Sequence, residues 1–259
     1  MNQVGVSTGC FYKCMQDELS DKMLNILLSN NIEVIELNVI ICDKVMMLHK
    51  LSKELLSRFS YVSLHAPSDI IYRDDLNTRN LLDKIRSFNK SFPLQNIVIH
   101  PDVIKNFKIF EKYQELGISL ENMDNEKSAY NNINDFDIKL MNRFTLTLDL
   151  QHIFTVDQAM KTLKDYQVKF LQYIKQIHIS GYHPIHKHIG LFKTNQQQIV
   201  KNYYKYSLNT YPTIIESVFE KVSDFISEIE FIKSYSSDPE SPESKSAPDS
   251  LSDPDESAS

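Results

Sequence analysis

Between Val4 and Ser217, short β-branched and aliphatic runs alternate with longer stretches of helical periodicity. The runs predict strands over Val4–Thr8, Glu33–Asn38, Tyr61–His65, Asn96–His100, Ile118–Glu121, Phe144–Asp149, Gln176–Ser180 and Thr213–Ser217. Several, such as Asn96-Ile-Val-Ile-His100, read as apolar on both faces, the pattern of a parallel sheet covered by helices. The intervening stretches predict helices over Asp21–Asn30, Asp43–Phe59, Leu76–Phe88, Val103–Leu116, Ile133–Met141, Val156–Ile174, Gln196–Leu208 and Phe219–Tyr235. In the second of these, Val45, Leu48, Leu51, Leu55 and Phe59 form one apolar stripe. Eight strands alternating with eight helices fit a single (β/α)8 TIM barrel, typically about 250 residues long. A doubly wound open sheet fits less well. Thr8-Gly-Cys-Phe, after the first strand, lacks the G-x-G-x-x-G spacing of a phosphate loop, and the chain has only five glycines.

The polar residues that end these runs carry the functional signal. Seven of the eight histidines lie at or just past a predicted strand end: His65, His100, His152, His178, His183, His186 and His188. Glu121, Asp149 and Glu216 end strands too. A barrel gathers its C-terminal strand ends at one rim, where the active sites of such barrels lie. Imidazole and carboxylate are ligands that divalent metals take, so the pattern predicts a metal site. His49 falls mid-helix and reads as structural.

Composition narrows the setting. The chain of 259 residues is 42% hydrophobic and 24% charged, ordinary for a soluble globular protein. No apolar run reaches the roughly 18 residues of a membrane span, and the N-terminus has no basic and apolar leader pattern. Cys10, Cys14 and Cys42 make an odd count without framework spacing, which suggests reduced thiols and a cytoplasmic location. The net charge of −6 belongs entirely to residues 236–259, a Ser/Pro/Asp/Glu-rich stretch with Leu251 as its one large apolar residue. That composition predicts a disordered acidic C-terminal tail, leaving residues 1–235 as one barrel domain. The body is neutral, with 27 basic and 27 acidic residues, which disfavours a dedicated duplex-binding surface. Lys44, Lys53, Lys105 and Lys108 read as solvated helix faces.

The ordered motifs His65-Ala-Pro, His100-Pro, Leu120-Glu-Asn, Asp149-x-x-His152, Ile177-His-Ile-Ser, His186-x-x-Ile-Gly and Ile214-Ile-Glu216 resemble the xylose isomerase-like barrel superfamily. They are closest to its branch containing endonuclease IV and the sugar phosphate isomerase/epimerase proteins, also called AP endonuclease family 2. The resemblance runs from Val4 to about Phe219. It implies a multinuclear metal site built from His65, His100, Glu121, Asp149, His152, His178, His186 and Glu216, with Glu121 as a bridging carboxylate. One position departs from the pattern: the Asp expected two residues before His186 is Pro184. The isomerase and epimerase members imply a smaller set, one metal between Glu121, Asp149, His178 and Glu216, with Glu121 and Glu216 also moving protons. That set is complete in this chain.

Three reactions are compatible with these residues: hydrolysis of a phosphate ester at a multinuclear site, isomerisation or epimerisation of a sugar or keto-sugar at a one-metal site, and oxidation at a multinuclear non-haem iron site. Zinc leads among the cofactors, with manganese, cobalt or iron as alternatives. Surplus imidazoles rank the hydrolase reading first. Glu36, His183, His188 and Tyr12 are candidate substrate contacts, and Asn122 is expected to orient Glu121 or its loop. The expected partner is a small phosphate ester or sugar, with nucleic acid possible, no membrane, and the oligomeric state open.

Overall fold

The computed structural model describes residues 3–236, so the predicted acidic tail lies outside the described residues beyond Ser236. Eight parallel strands close a barrel: β1 (Val4–Ser7), β2 (Val34–Asn38), β3 (Tyr61–His65), β4 (Asn96–Ile99), β5 (Ile118–Glu121), β6 (Thr145–Asp149), β7 (Ile174–Ile179) and β10 (Thr213–Ile215). A short antiparallel hairpin, β8 (Gly181–His183) and β9 (Lys187–Ile189), follows β7 and stands outside the barrel sheet. Each of the eight predicted strands is present within two residues at either end. Among the described residues no helix is long and apolar enough to cross a membrane.

The helical layer is less regular than its periodicity predicts. Helices form over Asp21–Ser29, Leu76–Ser91, Gln197–Lys205 and Asp224–Ser234, close to expectation. The segment expected as one helix over Asp43–Phe59 is instead a 3-10 run, Cys42–Lys50, and a single turn, Lys53–Leu56. Leu51 is extended between them, and the Ser52 hydroxyl accepts from Leu55 N to start the second piece. Val103–Leu116 likewise resolves into three 3-10 turns, interrupted where Asn106 Oδ1 accepts from Lys108 N and ended by left-handed Gly117. Ile133–Met141 is a 3-10 turn and one helical turn, Ile138–Met141. Val156–Ile174 is replaced by helices Leu150–Val156 and Thr162–Phe170, because the Asp157 carboxylate accepts from Ala159 N and Thr162 N and restarts the chain. In each case a polar side chain bonds the backbone locally and outcompetes a continuous helix.

The strands are buried on both faces but are not apolar on both. Val62, Leu64, Ile97, Ile99, Leu146, Leu148, Ile177 and Ile179 belong to the apolar core. Most of their alternating neighbours, such as Asn96, Thr147 and Gln176, are polar and meet across the barrel, with Val98 an apolar exception. Gln176 Oε1 accepts from Tyr61 Oη at 3.0 Å and from Asn96 Nδ2 at 3.3 Å. Asn96 Nδ2 also reaches Thr147 Oγ1, whose hydroxyl donates to Ser119 Oγ at 2.8 Å. Branched aliphatics usually fill a barrel of this kind. Here a hydrogen-bonded polar belt underlies the rim instead.

Candidate metal centre

Parallel pairing aligns the strand ends. Register pairs Asp149 with His178 and Ile214 with His178, so the C-terminal ends of β6, β7 and β10 lie within one residue of the same level. Glu121 closes β5, His65 closes β3, and His100 and Glu216 follow β4 and β10 directly. Asp149 also caps helix Leu150–Val156: its Oδ1 accepts from His152 N at 2.7 Å, which explains the Asp-x-x-His spacing. Asn122 orients this corner rather than Glu121. Its Oδ1 accepts from Asp149 N at 2.7 Å, its Nδ2 donates to Asp149 O, and its carbonyl contacts His152 Nδ1 at 2.7 Å.

Among the described residues, two groups of side chains converge closely enough to hold a cation, and they share Glu121. One is His65, His100 and Glu121; the other is Glu121, Asp149, His178 and Glu216. Within each group the ligand atoms lie within 4.8 Å of one another. The Glu121 carboxylate divides between them. Its Oε2 lies 3.0 Å from His100 Nε2 and 3.3 Å from His65 Nε2, while its Oε1 lies 2.8 Å from His178 Nδ1. His178 Nδ1 is also 3.3 Å from Glu216 Oε2.

The donor set fits divalent cations. Glu121 Oε2 and Asp149 Oδ2 are buried without a directed hydrogen bond, so the histidine contacts of Oε2 are electrostatic in character. Buried carboxylate oxygens in that condition are costly, and a cation would satisfy both. His65 Nδ1 lies 3.1 Å from the Ala66 carbonyl, and His152 Nδ1 contacts that of Asn122. An Nδ1–H held this way leaves Nε2 as the ligating nitrogen.

Electrostatics bind the cluster together. Burial works to raise Glu216, but the His178 charge and hydrogen bond outweigh it and hold the carboxyl down at about 2. Glu121 is likewise held well below the ordinary carboxylate range, burial being overcome by His178, His100 and His65. Asp149 is raised, chiefly by burial. Burial would depress His65, but contact with Glu121 and the charges of Glu36, Glu121 and Glu216 raise it to about 9. A folded-state value near 9 against an ordinary 6.5 means this stabilisation is complete below pH 6.5 and lost as pH rises to 9. The metal-free protein is therefore expected to lose melting temperature between pH 6.5 and 9, with His65→Gln flattening the decline. Thermal melts in chelator across this window test it, and a flat wild-type profile would contradict a retained imidazolium.

A cavity of about 350 Å³ opens above the cluster, lined by Ser7, Cys10, Tyr12, Asn38, Ile40, Ile41, Lys44, His65, His100, His152, His188, Glu216 and Val218 among others. Of the predicted substrate contacts, Tyr12 and His188 line it. The other two are not brought there. Glu36 is fully buried beneath His178, and His183 ends β8 at the hairpin turn, where its Nδ1 accepts from Ile185 N and His186 N. His186, expected as a ligand, is also not brought to the cluster. It is exposed at the hairpin tip and stacks on His183 at 4.9 Å. The hairpin turns these two rings outward and places His188 inside, where Nδ1 meets Ser180 Oγ at 2.9 Å and the ring faces His152 at 5.7 Å. No carboxylate stands at Pro184 to join that imidazole pair. Burial pushes His188 down from the ordinary imidazole range, against the raising charges of Glu216 and Asp149.

Lys44, expected on a solvated face, lies in the cavity wall and pairs with nearly buried Glu18. Its position just past β2 is the signal that could have found it, since barrel sites draw on the loops following strands. The polar belt under the site was legible as period-two alternation, as in Gln176-Ile-His178.

No protein-family model and no curated protein matches the sequence. Solved structures do match the fold. Endonuclease IV from Thermus thermophilus superposes with a TM-score of 0.64 at 9% identity, over 90% of this chain and 98% of that one. A D-tagatose 3-epimerase-like protein gives 0.60 at 18% identity, over 90% and 96%. A xylose isomerase domain protein from Planctomyces limnophilus gives 0.52 at 11% identity, over 89% and 94%. This chain shares with these three structures the fold of a closed, parallel eight-stranded barrel. Within that fold, this chain's cluster occupies the C-terminal rim of the barrel.

Proposed function

We propose that the protein is a metal-dependent hydrolase of a phosphate ester, with two divalent cations held by His65, His100, Glu121, Asp149, His178 and Glu216. One observation carries this reading: the two oxygens of Glu121 face two different ligand groups. A one-metal reaction has no use for His65 and His100 beside the complete set of Glu121, Asp149, His178 and Glu216. When bound, paired cations supply charge neutralisation at the phosphoryl oxygens and a water of lowered pKa. The chain's own residues do the rest. His152 presents Nε2 to the cavity because Asn122 holds Nδ1. Lys44, steadied by Glu18, offers a cation on the wall where an anionic substrate would rest. Cys10, Ile40, Ile41 and Val218 exclude water from the apolar side. The cavity volume and the neutral body favour a small phosphate ester over nucleic acid. Free Cys10, Cys14 and Cys42 support a reducing, cytoplasmic setting.

A second reading, isomerisation or epimerisation of a small sugar, is favoured by the compact cavity and the intact four-residue set. Metal analysis with two substrate classes separates them. The hydrolase reading expects about two zinc per chain and release of inorganic phosphate from small phosphate esters. It also expects His65→Ala with His100→Ala to remove one cation and at least about 100-fold of the rate, roughly 3 kcal/mol of barrier. One exchangeable manganese or cobalt, with the double variant fully active on a ketose, would replace it by the second reading. Two iron per chain would point to oxidation instead.

A further inference from the structure

We propose that Glu36 is a positioning residue: its carboxylate fixes the tautomer of His178 so that Nδ1 faces the cation. This rests on the metal reading above. Glu36 comes from β2, is fully buried, and crosses the barrel interior to β7. Its Oε2 lies 3.1 Å from His178 Nε2, 2.7 Å from Gln176 Nε2 and 3.3 Å from Ser63 Oγ. It does not line the cavity, so it is placed to act through another residue and not on substrate.

The opposite nitrogen of His178 points at the cluster, 2.8 Å from Glu121 Oε1 and 3.3 Å from Glu216 Oε2. The ring has two competing arrangements. Gln176 Nε2 also lies 2.7 Å from His178 Nε2. If that amide donates to Nε2, the ring proton of a neutral imidazole moves to Nδ1 and blocks ligation. If Nε2–H donates to Glu36 instead, Nδ1 keeps its lone pair for the cation. A charge-assisted bond to carboxylate is about twice as strong as one to a neutral group, so Glu36 decides the outcome. Among the described residues no lysine or arginine pairs with Glu36; a buried carboxylate in that condition is expensive to keep, and holding this ring gives it a role. His65 solves the same problem differently, with the Ala66 carbonyl at Nδ1 and Nε2 toward Glu121. The geometry therefore assigns one Nδ1 ligand, His178, among ligands that present Nε2.

Glu36→Gln tests this in the full chain by zinc affinity in chelator competition, alongside melting of the metal-free protein. Zinc affinity is expected to fall roughly 10- to 100-fold. The metal-free melting temperature is expected to fall as well, because the buried His178 ring loses its carboxylate partner. A merely structural Glu36 would lower the metal-free melting temperature and leave zinc affinity unchanged in the folded fraction. Unchanged affinity overturns the proposal, whereas a wild-type protein that binds no divalent metal sinks the metal reading itself. If Glu36→Gln does not fold, the wild type with 15N-histidine and 113Cd decides. One imidazole coupled to cadmium through Nδ1, with its Nε2 protonated, is expected; coupling through Nε2 alone overturns the proposal.

Discussion

Glu121→Gln is expected to lower turnover by about a thousand-fold or more, roughly 4 kcal/mol of transition-state stabilisation, while leaving the barrel assembled. The size of the effect follows from the residue's double position. Its two oxygens face His65 and His100 on one side and His178 on the other, so one substitution removes a ligand from both cation groups. An amide also lacks the charge that offsets three neighbouring imidazoles and that would offset the proposed cations. Metal content should fall from about two per chain to one or none, read by elemental analysis of the purified variant. Stability should fall as well, since removing one partner of a buried ion pair costs roughly 3–5 kcal/mol. Circular dichroism at low temperature separates lost ligation from lost fold. A variant that keeps two metals and more than a tenth of the wild-type rate would show that Glu121 does not bridge.

Gly5→Ala is expected to prevent the barrel from closing. Gly5 lies in β1, paired with Ile214 of β10, and β2 passes on its other side. A Cβ there would fall 1.8 Å from Val34 O and 2.4 Å from Val34 C. These are backbone atoms of the adjacent strand, not the end of a flexible side chain, so relief requires β1 and β2 to separate. Parallel strands in one sheet hold a fixed spacing of about 4.8 Å, and no rotamer absorbs the conflict. The expected loss exceeds about 4 kcal/mol, enough to leave little folded protein. Gly117→Ala is the control: its cost is limited to the left-handed backbone at φ 58°, since its Cβ meets nothing within 4 Å. That cost is roughly 1–2 kcal/mol. Soluble Gly5→Ala melting within a few degrees of wild type would show that the β1–β2 seam can open enough to admit a methyl group.

The strands were legible in the sequence and the helices only in part, for one physical reason. Strand runs such as Tyr61–His65 and Asn96–Ile99 are short, rich in branched aliphatics and followed closely by Pro, and little competes with their pairing. Helical periodicity says which face would be buried, not whether the backbone stays helical. Ser52, Asn106 and Asp157 each bond a nearby N–H and break a stretch whose periodicity looked continuous. The site shows the same division. His65, His100, Glu121, Asp149, His178 and Glu216 converge as strand-end residues should. His183, His186 and His188 lie on a hairpin, where direction depends on the turn. Motif spacing selected His186, and the turn places His188 inside instead.

The sequence by itself determined the class of this protein: a parallel barrel whose strand ends gather imidazoles and carboxylates at one rim. Strand position and the two-residue side-chain period are local properties, so a linear pattern carries them. Tertiary structure alone decided that Glu121 divides its oxygens between two groups, and that Lys44 faces the cavity. It alone placed Glu36 behind His178, from β2 across the interior to β7. Those relations join residues far apart in the chain through a closed ring of strands, and ring closure sets their distances.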